Sequence, residues 1–203
     1  MASDALVAFL SDLPVSRRAA AWAADAHADQ RRPVDGADFL VHPLEVALLL
    51  HMTGYRDEVV AAGLLHDAIE TTGTEAADLV AAFGPRVAAM VATLTEDASI
   101  ADYLERKAAL RAAAEAADDE TVAVFAADKV AKARELQLAA AAGTMPAREM
   151  ACRRAHYVAS LEVLERRLPD HPFTDALGFE LAAHLASPAF AWLASGPSAV
   201  PAA

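Results

Sequence analysis

An all-α fold is predicted, and three features of the sequence predict it. Alanine is abundant while glycine is scarce, with 8 in 203 residues. No stretch alternates apolar and polar residues with the period of two that a half-buried strand requires. Start and stop signals for helices recur along the chain at helix-length intervals. The helix-favouring segments run over about 16–30, 43–53, 56–70, 74–83, 86–95, 101–117, 120–142, 146–168 and 174–193. His42-Pro43 reads as a start, because proline is favoured at the first helical position. Thr72-Gly73-Thr74-Glu75 matches a capping box with Thr72 as the cap and Glu75 reaching back. Gly84-Pro85 separates two helices, and Gly143 to Pro146 does the same further on, with Pro146 opening the next helix. Trp22, Phe83, Phe125, Trp192 and the methionines fall in apolar helical contexts and read as core. There is no internal repeat and no long linker. The expected organisation is one compact domain over 1–195, with helices from about 146 to 193 as a C-terminal extension and a loose tail over 196–203.

Composition narrows the function classes. A chain of 203 residues supports one sizeable core. Although 56% of it is hydrophobic, the uncharged apolar runs are shorter than the ~20 residues of a membrane span, so no membrane association is expected. Met1 to Pro14 lacks the basic region of a secretory signal. The single cysteine, Cys152, has no internal partner and reads as a small buried hydrophobe. A reducing cytoplasm is therefore the expected compartment. Net charge is −12, from 17 basic and 29 acidic residues. That excess argues against a nucleic-acid polymer as partner, which needs a basic face, but a local cluster of Arg and Lys suffices for a small phosphorylated ligand.

The residues that carry chemistry lie in Leu64-Leu65-His66-Asp67-Ala68-Ile69-Glu70. An apolar helix that ends in an imidazole and a carboxylate carries polar groups into the core, where unpaired charge is costly. A divalent cation satisfies both ligand types. In a helix, His66 and Asp67 each share a face with Glu70, four and three residues on. His42 offers a second imidazole. Asp128 follows another apolar approach, Val122 to Ala127, and offers a second carboxylate. The remaining histidines, His27, His51, His156, His171 and His184, have no partner at ligand spacing.

Three runs lie in order: His27-Ala28-Asp29-Gln30-Arg31-Arg32, Val41-His42-Pro43-Leu44-Glu45-Val46-Ala47 and Ala62 to Glu70. They resemble the HD-domain hydrolases of the RelA/SpoT type, and most of all the stand-alone small alarmone hydrolases, the metazoan SpoT homologues included. The likeness continues through Phe83-Gly84-Pro85-Arg86-Val87, Leu94-Thr95-Glu96-Asp97, Glu105-Arg106-Lys107 and Ala126-Ala127-Asp128-Lys129, so that its ordered blocks cover about residues 16–135. The resemblance implies an all-α HD fold that holds manganese through His42, His66, Asp67 and Asp128. Two nitrogens and two oxygens would equally fit Fe, Co, Ni or Zn. It further implies removal of pyrophosphate from the 3′ position of a guanosine alarmone, with Glu70 guiding the attacking water. Arg31, Arg32, Lys107, Arg153 and Tyr157 match the basic and aromatic positions near the phosphates and the nucleotide. Arginine offers a planar fork to phosphate oxygens, and tyrosine offers a stacking face with a polar tip.

Three positions depart from the family's pattern. Thr71 stands where a second carboxylate follows Glu70, and its hydroxyl can orient water or a phosphate oxygen without taking charge. Lys132 stands where an asparagine meets the nucleotide; lysine can meet a phosphate as a point charge but lacks an amide's paired donor and acceptor. Phe39 replaces a common tyrosine. The expected function is accordingly a metal-dependent phosphohydrolase acting on a (p)ppGpp-type alarmone, with Glu70 and Thr71 in the catalytic positions and Lys132 among the substrate contacts. One alternative is hydrolysis of another nucleotide, such as an adenosine alarmone, an ADP-ribose derivative or an NADPH-type substrate. The other is a metal-holding module that binds a nucleotide with little or no turnover.

Overall fold

The computed structural model describes residues 8–188 and 190, and the regular elements among them are all helices. A short 3₁₀ turn (Ala8–Leu10) leads into α1 (Pro14–Ala26), α2 (Val41–Met52), α3 (Asp57–Leu65), α4 (Ala68–Thr71) and α5 (Ala76–Phe83). Then follow α6 (Pro85–Leu94), α7 (Tyr103–Ala116), α8 (Asp119–Ala142), α9 (Ala147–Arg167) and α10 (Pro172–Ala186). No strand occurs among the described residues; Arg31 and Asp38 form an isolated antiparallel bridge.

α8 is the axis of the fold because its first half is apolar on all sides. Every residue from Thr121 to Ala131 is buried, as expected for a helix surrounded by others. α2, α3, α9 and α10 pack around it, and its alanines let their backbones come close. Arg134 ties the same helix to α2 and α10, donating to Glu45 Oε1 at 3.1 Å and to Glu180 Oε1 at 2.8 Å. One contiguous core extends from Leu10 to Phe190.

α3 is buried from Val59 to Leu65 and lies against α1 and α2. Its start also caps α1: the Asp57 carboxylate accepts from the backbone N–H of Val15 (2.8 Å) and of Ser16 (2.7 Å), donors that otherwise lack intrahelical partners. Gly63 marks the closest approach of α2 and α3. A Cβ there would lie 2.6 Å from Leu50 Cδ1 and 3.3 Å from Val46 Cγ1, well inside van der Waals contact.

The helix order follows the sequence, with local corrections. The segment expected at 56–70 is two helices, α3 and α4, broken at His66-Asp67. Both residues keep right-handed backbone dihedrals, and the two side chains approach one another with His66 Nε2 3.2 Å from Asp67 Oδ2. α2 begins at Val41, which makes Pro43 its third residue; the missing N–H costs nothing, since the first four are orphans in any case. The capping box of α5 is formed by Glu75 and Asp78, not by Thr72 and Glu75. Thr72 donates instead to the Ala68 carbonyl at 2.6 Å. Gly143 closes α8 in the left-handed conformation, φ +65°, which favours glycine. Pro146 is the N-cap of α9, one residue before the helix proper. Met52 is 77% exposed, because it sits in the last turn of α2 beyond the neighbouring helices, and Cys152 is half-buried rather than core. Trp192 and the tail over 196–203 lie outside the described residues.

Candidate metal centre and substrate cavity

The two imidazoles reach the centre from different helices. His42 comes from the first turn of α2, and His66 follows the last apolar residue of α3. Each ring is fixed through Nδ1. His66 Nδ1 lies 2.8 Å from the Gly63 carbonyl, and His42 Nδ1 lies 3.1 Å from Glu135 Oε1. A carbonyl and a carboxylate can only accept, so in the neutral rings both Nδ1 atoms carry the proton and both Nε2 lone pairs face inward. The two Nε2 atoms meet at 3.2 Å.

Two carboxylates close the set. Asp128 Oδ1 is 3.1 Å from His42 Nε2 and 3.4 Å from His66 Nε2, while Asp67 Oδ2 is 3.2 Å from His66 Nε2 and 3.6 Å from His42 Nε2. All four side chains are buried. The grouping of His42, His66 and Asp128 has the geometry of a metal cluster, and Asp67 adjoins it. Two facing lone pairs and two carboxylates in a buried site suit a borderline divalent cation. Without one, burial disfavours an imidazolium, but Asp67 and Asp128 outweigh burial and hold His66 up at about 10. His42 is likewise raised against burial, by hydrogen bonds to Asp128 and Glu135. Burial pushes both aspartates upward; the His66 and Lys132 charges for Asp67, and Lys129 and Lys132 for Asp128, overcome it and keep them ionised.

A cavity of about 270 Å³ opens beside this centre, with His42, Asp67, Glu70, Thr71, Lys107 and Lys129 among its walls, together with Lys132, Glu135, Arg153 and Tyr157. Glu70 accepts from the Glu96 N–H at 3.3 Å. Burial, then the neighbouring Glu96 and Asp67 charges, raises its pKa. Thr71 lines the cavity, but its hydroxyl donates to the Asp67 carbonyl at 2.9 Å. Phe39 occupies the wall beside His42, the rings 6.0 Å apart.

The residues expected to meet substrate divide into two groups. Lys107, Lys132, Arg153 and Tyr157 line the cavity. The two N-terminal arginines do not. Arg31 pairs with Asp38 at 2.6 Å on the surface. Arg32 is buried, bonded to Asp35 and, at 3.3 Å, to Glu135. The Arg32 guanidinium thus supports the carboxylate that orients His42. Lys107 and Arg153 also have carboxylate partners, Glu96 and Glu149.

Sequence reasoning missed four contributors. Glu135 lies seven residues after Asp128, and Lys132 lies four after it, so all three share one face of α8; that spacing was available as a signal. Glu96 sits within the matched Leu94–Asp97 block and takes bonds from Arg106 (2.8 Å) and Lys107. Lys129 donates to Asp128 Oδ2 at 2.6 Å and lies 4.8 Å from the Phe125 ring centre. His156, without a partner in sequence, is buried in the cavity wall, its Nδ1 accepting from Arg111 at 2.8 Å. Only the folded packing of α7 on α9 shows that contact.

The profile of the HD domain matches residues 19–152. The chain belongs to the HD-domain family. Within it, the chain is similar to the RelA/SpoT-type hydrolases. A Xenopus tropicalis protein named guanosine-3′,5′-bis(diphosphate) 3′-pyrophosphohydrolase MESH1 is 34% identical over 130 residues, which cover 63% of this chain and 72% of that protein. An Aquifex aeolicus guanosine-3′,5′-bis(diphosphate) 3′-pyrophosphohydrolase is 39% identical over 80 residues, 39% of this chain and 11% of that protein. The chain thus spans about a tenth of that longer relative. The crystal structure of lmo0812 from Listeria monocytogenes superposes with a TM-score of 0.65 at 32% identity, covering 72% of this chain and 94% of that one. No helix among the described residues is long and apolar enough to cross a membrane.

Proposed function

We propose that this HD-domain protein is a metal-dependent phosphohydrolase that removes pyrophosphate from the 3′ position of a (p)ppGpp-type alarmone, with Mn2+ as its metal. The observation that carries this reading is the convergence of His42, His66, Asp67 and Asp128, with both Nε2 atoms turned inward, beside a cavity walled by four cationic side chains in a chain of net charge −12. Its similarity to proteins named as guanosine-3′,5′-bis(diphosphate) 3′-pyrophosphohydrolases supports the choice of substrate.

When bound, a divalent cation supplies Lewis-acid activation of water and of a phosphoryl oxygen. The chain's own residues do the rest. Glu70, at the cavity wall, orients the attacking water and takes its proton. Lys107 and Arg153 neutralise the departing pyrophosphate, and Tyr157 packs against the nucleotide. Thr71 offers only hydroxyl lone pairs to water, since its proton is already engaged. The expected compartment is the cytoplasm.

The test is reconstitution. Protein stripped of metal and then given Mn2+ regains pyrophosphate release from ppGpp; Co2+, Zn2+ and Mg2+ in parallel rank the metals. A panel with pppGpp, adenosine alarmones, ADP-ribose and NADPH ranks the substrates. Absence of pyrophosphate or phosphate release from every alarmone sinks the proposal. A clear preference for a panel member outside the alarmones reassigns the substrate and leaves the metal chemistry in place.

A further inference from the structure

The amine of Lys132 lies on the metal ligands themselves. Its Nζ is 3.2 Å from Asp128 Oδ1 and 3.7 Å from Asp67 Oδ1. Asp128 Oδ1 also faces both Nε2 atoms, 3.1 Å from that of His42 and 3.4 Å from that of His66. Any cation that takes the two imidazoles and this carboxylate must share that oxygen with an ammonium group. The other oxygen, Asp128 Oδ2, is held by Lys129. Two lysines therefore already balance the two aspartates before a metal is counted.

The two lysines differ in freedom. The Lys129 side chain is 3% exposed and lies over the Phe125 ring, so it is fixed. The Lys132 side chain is 28% exposed and faces the cavity that also holds Lys107 and Arg153. Its four-carbon stem lets the ammonium leave the carboxylates for an anion in that cavity without moving the backbone.

We propose that Lys132 couples the two ligands of this site. As a resident cation it opposes the divalent metal, and a phosphate group entering the cavity draws its ammonium away from Asp128, so that phosphate and metal bind cooperatively. By linkage, each raises the affinity for the other by the same factor. A neutral side chain at this position removes both the opposition and the coupling. The inference rests on reading His42, His66, Asp67 and Asp128 as a metal site, and it requires neither a particular nucleotide nor turnover.

The experiment measures Mn2+ binding by metal-stripped full-length protein through loss of the free-ion paramagnetic resonance signal, with and without inorganic phosphate. Wild type is compared with Lys132→Asn, Lys132→Met and Lys132→Arg, and a thermal melt confirms that each is folded. In the absence of phosphate, the Asn and Met variants are expected to bind Mn2+ about tenfold more tightly than wild type, within the usual range of a coupling between sites. Phosphate is expected to tighten Mn2+ binding several-fold in wild type and in Lys132→Arg, which keeps the charge, and to change the neutral variants little. Equal Mn2+ affinities in wild type and both neutral variants overturn the proposal, as does coupling that survives in the neutral variants. If no protein in the series binds Mn2+, the metal reading itself fails and this inference with it.

Discussion

The metal side of the cavity and its phosphate side are built on opposite principles. On the metal side, three of the four proposed ligands are held by a second group: Gly63 for His66, Glu135 for His42 and Lys129 for Asp128. On the phosphate side, the cations have carboxylate partners of their own: Glu96 for Lys107 and Glu149 for Arg153. The ligands are pre-arranged for a guest, whereas the cations are neutralised until one arrives.

The largest effect that would test the contrast comes from Asp128→Ala. It removes a proposed ligand and strands Lys129, which is 2% exposed. Breaking a buried ion pair in this way typically costs about 3–5 kcal/mol, so the melting temperature should fall sharply and Mn2+ retention should vanish. Asp128→Asn, which preserves the shape, should recover more of the stability than of the metal. Next is Glu135→Gln. Loss of a carboxylate that orients a ligating imidazole typically costs about 10- to 100-fold in metal affinity, to be read by Mn2+ titration with little change in the melt. A melt that falls as far as it does in Asp128→Ala would show that Glu135 holds up the fold rather than the ligand.

Asp57→Ala lies away from both sides of the cavity and calibrates them. It uncaps α1 at an expected cost of about 1–2 kcal/mol, with Mn2+ affinity unchanged; a shifted affinity would mean that the centre is more loosely built than the metal side implies. The smallest effect is expected from Arg31→Ala. Its guanidinium is 55% exposed in a surface pair, and such pairs contribute little, so neither the melt nor Mn2+ binding should move. If the Michaelis constant for ppGpp rises all the same, Arg31 leaves Asp38 for substrate and the contrast is sharper still. Thr71→Asp restores the acidic pair after the doublet. Equal turnover in both forms would show that Glu70 suffices alone.

The metal side was largely legible in the sequence because its signals are local: apolar runs that end abruptly in His66-Asp67 and in Asp128, and His42 at a helix start. On the phosphate side, Lys107, Lys132, Arg153 and Tyr157 were legible and line the cavity, but the two N-terminal arginines were not. Arg31 and Arg32 are adjacent in sequence yet have different roles, because only the fold turns Arg32 inward onto Glu135. The break at His66-Asp67 was also invisible, since the helix pattern continues through it on either side. The capping box slipped by three residues because the Thr72 hydroxyl bonds to the Ala68 carbonyl and to the Thr74 hydroxyl, leaving the cap to Glu75. His156 was read as bland because its partner, Arg111, lies 45 positions away.

Gly63 bears on more than packing. His42 rides on α2 and His66 follows α3, so the separation of their Nε2 atoms depends on how those two helices lie, and at Gly63 they lie close enough that a Cβ would meet the Leu50 side chain. The packing beneath the two imidazoles thus involves a residue outside the proposed ligand set. A methyl at position 63 would displace the Leu50 side-chain end first, since the nearest α2 backbone atom, Ala47 Cα, would be in ordinary contact at 3.6 Å; the two imidazoles thus share their seam with a packing contact that side-chain movement can relieve.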